Sequence, residues 1–421
     1  MVKYEAIQSS SKVLNLYNNP DPWFWTSGSI NPYRGCEHDC KYCDGRAEWY
    51  KITDFSRNIR IKINAPEKYE KELLKLGFRP KYRKSDLTKF FAKYSDNQEN
   101  FMKKEQIKIP QLIIAVGGGV CDVYQPAEKK FRVTRQLLKK NLDFGVPTTI
   151  LTKSKLVLRD LDLLTQIQDR SYVNVSFSIT LFEDGIRKIF EPKSASTTQR
   201  FKALKAVREM DLPGGVMFMP ILPGVADTEE NIREIIYKSK EVGAEYVLPA
   251  GLTLKPGRNK KEYLNVIQLN FPDLLPLYKE LYGNNNKYGT PKISKKFINV
   301  TKLAHEICRK IGVPDRIPRY IPPGVYNINY LVSTILYDLA YYYQWVSEQS
   351  WRSVAPFSKT ASIIESYPKD INKLSKKELI NQFDLTDDLL TTVSEVLETR
   401  KSTELTQFLD PKDIFLTDKI P

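Results

Sequence analysis

Residues Val146 to Thr180 read VPTTILTKSKLVLRDLDLLTQIQDRSYVNVSFSIT, and this stretch decides the fold. VPTTILTK is a short β-branched run of the kind that forms a buried strand, and LVLRDLDLLTQIQD has the three- and four-residue apolar spacing of a helix. SYVNVSFSIT returns to strand character. The same unit recurs on both sides: QLIIAVGGG and FRVTRQLLKKNLDFG come before it, and STTQRFKALKAVREM, GGVMFMPIL, DTEENIREIIYKSKEVG and AEYVLPAGLTL follow. Apolar strands alternating with helices predict a parallel sheet covered by helices. Five such strands lie between Gln111 and Leu254, and a sixth is expected before the cysteine-rich loop. The expectation is therefore an α/β fold, a partial (β/α)6 barrel of the TIM type, with its chemistry at the C-terminal ends of the strands. Those ends carry GGGVCD, LTKS, FSIT and PILPGV. The helix after PILPGV is expected to start at a capping Asp227, with a Glu three residues on.

The organisation predicted around this barrel has four parts. Residues 1–30 read as an N-terminal extension and 31–254 as the barrel, with a basic aromatic insert over 79–110. Residues 255–290, punctuated by Pro, Gly and a triple Asn, read as a linker or lid, and 291–421 as a helical C-terminal region. In that last part His305 and Cys308 share one face of an amphipathic helix and read as core residues.

Composition narrows the class. The chain has 421 residues, 41% hydrophobic and 27% charged, enough for one large core and a smaller second one. No run approaches the roughly 18 apolar residues of a membrane span, and the first residues lack the apolar run of a secretory signal, so a cytoplasmic location is expected. Lys and Arg number 65 against 50 Asp and Glu, a formal net charge of +15. Such a field attracts polyanions, nucleic acid among them; a lysine-rich surface without a ligand reads equally well. The insert interleaves Lys and Arg with Tyr82, Phe90, Phe91, Tyr94 and Phe101, which suits phosphate attraction and base stacking, or a helix whose aromatics enter the core.

Three of the five cysteines fall within GCEHDCKYC, as Cys36, Cys40 and Cys43. An odd, uneven set of cysteines does not make a disulfide framework, and a tight cluster in a reducing compartment points to metal binding or catalysis. Three thiolates can hold three irons of a four-iron four-sulfur cube and leave the fourth iron open. Zinc would want a fourth ligand; His38 lies inside the loop, while Cys121 and His305 are distant in sequence.

The stretches NPYRGCEHDCKYCDGR, DVYQPAEKKFRVTRQLL, TILTKSKLVLRDLDLL, VSFSIT, EPKSASTTQRFKAL and PILPGVADTEENI together resemble the radical S-adenosylmethionine proteins, within them the group of spore photoproduct lyase, often labelled DNA repair photolyase-like. The resemblance runs from about Asn31 to Leu254. It implies a metal-binding lyase or nucleic-acid-modifying enzyme. Cys36, Cys40 and Cys43 would carry a [4Fe-4S] cluster whose fourth iron is chelated by the amino and carboxylate groups of S-adenosylmethionine; an electron from the reduced cluster would cleave the C5′–S bond, giving methionine and a 5′-deoxyadenosyl radical that abstracts a hydrogen atom. An electron donor such as ferredoxin or flavodoxin is implied, and DNA or tRNA as a substrate. By position, Gly117, Gly118 and Gly119 match a turn that lets backbone approach the methionine amino group, and Asp122 a residue that orients S-adenosylmethionine. Lys153 matches the partner of its carboxylate, Ser178 a polar residue near its ribose, and Tyr42 and Arg46 residues packed on the cluster. The lyase carries a cysteine hydrogen donor where this chain has Gly119. Cys121 lies two residues later and, in an extended segment, would face the same way, which makes it the candidate donor here; a buried free cysteine is the other reading. A different class stays open, an iron–sulfur or zinc protein that binds nucleic acid without radical chemistry.

Overall fold

Strands that are apolar on both faces must be covered on both, and this chain meets the demand with one sheet wrapped by helices. The computed structural model describes residues 1–80, 112–283, 286–292, 295–322 and 326–414, the side chains of 295–299 excepted. The basic aromatic insert expected over 79–110 lies almost wholly outside the described residues. The strands among the described residues are β1 (Lys3–Ile7), β2 (Leu14–Asp21), β3 (Thr26–Ile30), β4 (Tyr33–Arg34), β5 (Asn58–Lys62), β6 (Ile114–Val116), β7 (Thr148–Thr152), β8 (Val173–Ser178), β9 (Gly214–Ile221) and β10 (Val247–Gly251).

Seven of these form one sheet in the order β2-β3-β6-β7-β8-β9-β10. All neighbours from β3 to β10 are parallel, and β2 lies antiparallel on the edge of β3. The crossover from β3 to β6 contains the helix Ala65–Lys75; the helices Val133–Phe144, Leu161–Arg170, Thr197–Arg208 and Glu229–Glu241 follow β6 to β9 in turn. This is the partial (β/α)6 barrel that the sequence predicts. Local signals act where expected: Ser196 and Gln199 form a capping box, and Gly145 ends its helix at φ 63°. One cap differs. Asp227 accepts the Gly224 amide at 2.7 Å, so the N-cap falls one residue later on Thr228, which accepts the Asn231 amide at 3.2 Å.

The expected boundaries shift for physical reasons. Residues 1–30, read as an N-terminal extension, include β3, the first barrel strand, and β1, which joins a small sheet, β1-β5-β4, beside the cysteine loop. Residues 255–290, read as a linker or lid, hold the helices Arg258–Asn270 and Leu275–Tyr282, whose Tyr263, Ile267, Tyr278 and Tyr282 enter the main core. Their breakers mark helix starts, with Gly257 as an N-cap and Pro276 in a first turn. The helix Lys295–Ile311 also packs Ala304, Ile307 and Cys308 into that core, so it belongs to the barrel.

A second core is built on the helix Asn327–Trp345, buried nearly all round, and takes in Trp25, Met217, Tyr246 and Leu248 from the barrel. The segment between these cores bridges the open edge of the sheet. Pro314 O accepts the Val247 amide of β10 at 2.9 Å, and Ile317 O accepts Trp25 Nε1, at the start of β3, at 2.7 Å. Among the described residues no helix is long and apolar enough to cross a membrane.

Candidate active site

The inward faces of β6 to β9 carry small or flexible side chains where a filled barrel would carry bulky branched ones, and a cavity of about 680 Å³ results. Cys36, Cys40 and Cys43 line its upper end, with Gly117, Gly118, Gly119, Cys121, Asp122, Lys153, Ser178 and Tyr42. The structure thus brings together every site residue read from the sequence except Arg46. That side chain turns to the Cys40 carbonyl at 2.9 Å and to Asp39.

The cysteine loop is held from outside. Cys36 donates its amide to Phe55 O at 2.9 Å, and its sulfur accepts the Asp122 amide at 3.4 Å. Burial pushes all three thiols up, Cys40 to about 12, so without a cation they stay protonated. No disulfide joins them. Among the described residues no three His, Cys, Asp or Glu side chains converge as one metal ion requires. Three thiols spread around an open space suit an iron–sulfur cluster, which gives each ligand its own iron, better than a single zinc.

Opposite the loop, β6 ends in bare backbone. Gly117, Gly118 and Gly119 have φ of 98°, 137° and 61°, which L side chains rarely adopt. No atom lies within 4 Å of where a Cβ would stand on Gly118 or Gly119, so this ledge offers backbone to a ligand without obstruction. The turn also changes the basis of one expectation. Cys121 is not on an extended segment, yet it reaches the cavity wall, with its thiol donating to Tyr33 O at 3.3 Å. Burial pushes that thiol up to about 12.

Asp122 lies six residues past the end of β6, and its carboxylate is already engaged. It accepts Thr152 Oγ1 at 2.8 Å and the amides of Lys153 and Tyr124 at 2.7 and 2.8 Å, so it ties the turn to the end of β7. His38 Nδ1 donates to Lys193 O at 3.3 Å, and its Nε2 stands 3.2 Å from Asp122 Oδ2 without the alignment of a hydrogen bond. Burial opposes the Asp122 charge, but His38 and the two amides hold its pKa at about 2.

Sequence reading missed the network below Tyr42. Glu191, fully buried, accepts the Tyr42 hydroxyl and an Arg200 guanidinium N–H. Arg200 also donates to Ser178 O at 2.8 Å and to Ala195 O at 2.9 Å, which fixes the end of β8. Burial works against the Lys153 charge, but the Cys40 sulfur and the Glu191 carboxylate raise its pKa overall. Its Nζ lies 5.6 Å over the Tyr42 ring, and among the described residues it makes no ion pair. Lys153 is thus a cation held at a cavity wall with a free face. EPKSASTTQR contained both Glu191 and Arg200; their polar types inside a matched motif were the available signal.

A profile described as the Radical SAM superfamily matches residues 30–236. An uncharacterized protein of Methanocaldococcus jannaschii is 31% identical over 246 residues, 58% of this chain and 76% of that protein. An uncharacterized protein of Mycobacterium tuberculosis is 26% identical over 259 residues, 60% of this chain and 66% of that one. Among solved structures, spore photoproduct lyase complexed with dinucleoside spore photoproduct gives a TM-score of 0.49 at 13% identity, over 73% of this chain and 79% of the other.

Proposed function

We propose, for a chain that belongs to the Radical SAM superfamily, that it is an enzyme using S-adenosylmethionine and a [4Fe-4S] cluster to abstract a hydrogen atom from its substrate. The family implies S-adenosylmethionine and an iron–sulfur cluster; bound here, they supply one-electron chemistry at an unactivated carbon, which side chains do not offer. The observation that carries the reading is one cavity bordered by three unpaired thiols, a bare glycine ledge and an unpaired lysine.

The roles divide by chemistry. Cys36, Cys40 and Cys43 hold the cluster once their protons are displaced. The Gly118–Gly119 ledge accepts the close approach of an amino acid moiety, and Lys153 pairs with its carboxylate as a charge-assisted contact. Asp122, through Thr152 and the Lys153 amide, keeps ledge and lysine in register. Glu191 and Arg200 position Tyr42 and the Ser178 carbonyl. Cys121, with a thiol that stays protonated, is the candidate to return a hydrogen atom. Nucleic acid is the leading substrate class, supported by the net charge of +15; a repair-type lyase reaction, a cytoplasmic location and an electron donor of the ferredoxin or flavodoxin kind belong to the same proposal.

The test is anaerobic: reconstitution with iron and sulfide, reduction, addition of S-adenosylmethionine with DNA or tRNA, and quantification of 5′-deoxyadenosine beside a Cys40→Ala control. Product that disappears in the control supports the reading. An intact cluster with no S-adenosylmethionine binding and no product would replace it with an iron–sulfur binding protein.

A further inference from the structure

The lower half of the cavity has a built polar floor. Ala115, Thr149 and Asn174 are neighbours in register across β6, β7 and β8. Thr149 lies four residues before Lys153 and Asn174 four before Ser178, so this row is about 13 Å below the strand ends at roughly 3.3 Å per residue. Above it, Gly215 of β9 makes room for Tyr246: a Cβ there would come within 2.6 Å of the Tyr246 carbonyl and 2.7 Å of its ring. Tyr246 therefore enters the barrel, and its hydroxyl meets Ser176 Oγ at 2.6 Å and Asn174 Oδ1 at 3.0 Å.

Burying an amide and three hydroxyls in a barrel interior is costly unless each has a partner. Tyr246, Ser176 and the Asn174 oxygen satisfy one another. Asn174 is 2% exposed and lines the cavity, and with its oxygen taken by Tyr246, its NH2 makes no hydrogen bond among the described residues. The Thr149 hydroxyl beside it makes none either. Leu151, Met217 and Ile317 supply apolar walls. No Lys or Arg other than Lys153, at the upper end, lines this cavity among the described residues. At the lower rim stands Asp21, with Oδ1 accepting the Trp23 amide at 2.8 Å.

We propose that Asn174 and Thr149 are the specificity-determining floor of the substrate site, and that they take an uncharged carbonyl group carried on an apolar frame. Asn174 offers donors, which select an acceptor. The missing cation and the carboxylate of Asp21 turn away carboxylates and phosphates, so a charged part of a larger substrate stays outside the barrel. The proposal rests on the preceding reading in one respect, that S-adenosylmethionine fills the upper end and leaves the floor to the substrate.

The experiment uses the full, cluster-reconstituted chain and three ring probes, measured by ligand-observed NMR titration: 1-methyl-2-pyridone, which accepts hydrogen bonds and donates none, toluene and benzoate. We expect the pyridone to bind about tenfold more tightly than toluene, and benzoate to bind weakest. Asn174→Leu, close in volume, removes the donor outright and should abolish the tenfold preference; Thr149→Val, close in shape, should reduce it. Equal affinity for pyridone and toluene, tightest binding by benzoate, or an unchanged preference in both variants would overturn the proposal. S-adenosylmethionine binding by the same wild-type preparation reports on the upper end separately. Protein that binds the nucleoside without preferring the pyridone refutes the floor alone, and the converse refutes the cofactor reading alone.

Discussion

Arg200 with Glu191 beside the cysteines, and Arg316 with Asp338 in the C-terminal helices, are buried pairs of the same two chemical groups. Their carboxyls respond in opposite directions. Burial opposes the Glu191 charge, but Arg200, the nearby Lys153 and the Tyr42 hydroxyl outweigh it and hold the pKa at about 2. For Asp338 burial prevails over Arg316 and Arg319, the neighbouring Asp315 adds to it, and the pKa is raised. In the C-terminal set Arg316 meets Asp338 at 2.8 Å, Arg319 meets Glu365 at 2.6 Å, and both guanidiniums lie over Trp25 at 5.2 and 4.5 Å. The set beside the cysteines has one more cation than it pairs. In the C-terminal network each guanidinium has its own carboxyl partner and the pairs join barrel and helices, whereas beside the cysteines Lys153 stands at the cavity without an ion pair among the described residues.

The largest effect should come from Arg200→Leu, which leaves Glu191 buried without its main partner. Urea unfolding should show a loss of about 3–5 kcal/mol, with poor cluster incorporation; a loss below about 1 kcal/mol would break the comparison. Arg316→Leu should fall near the lower end of that range, since burial already raises the Asp338 pKa and eases its neutralisation once the partner is gone, and cluster content per folded molecule should stay unchanged. The sign of its pH dependence follows. The folded pKa of Asp338 lies above its unfolded value, so stability of that variant should recover as pH falls through the raised pKa. Lys153→Met should cost less stability than either arginine variant, since Glu191 keeps Arg200, and weaken S-adenosylmethionine binding about ten- to a hundredfold in anaerobic calorimetry. Glu191→Gln sharpens the contrast at the smallest scale. The wild-type pair is fully stabilising above pH 4.5 and loses that contribution as pH falls toward about 2. The variant should therefore show a shallower decline of stability over that window, by about one proton in the slope.

Much of this was legible in the residues. Alternation of apolar runs and helical periods foretold six barrel strands in order, and C-x3-C-x2-C foretold three thiols at one end. The inward row of β8 was also written out: Asn174, Ser176 and Ser178 alternate with Val173, Val175 and Phe177, although Ser178 alone drew attention. The helices of 255–290 were hidden because Pro and Gly mark helix starts as well as breaks.

Period and spacing establish which segments are strands, which are helices and which ligands share a short loop, because those properties depend on near neighbours along the chain. The pairing of Tyr42 with Glu191, 149 residues away, of Trp25 with Ile317, and of Tyr246 with the space left by Gly215 has no such pattern. Each depends on which groups lose water together when the barrel closes. The charged neighbours that packing brings together keep Glu191 an anion and Lys153 a cation against that loss of water, and the same packing leaves Asn174 a donor at the bottom of a cavity; none of this exists until distant segments meet.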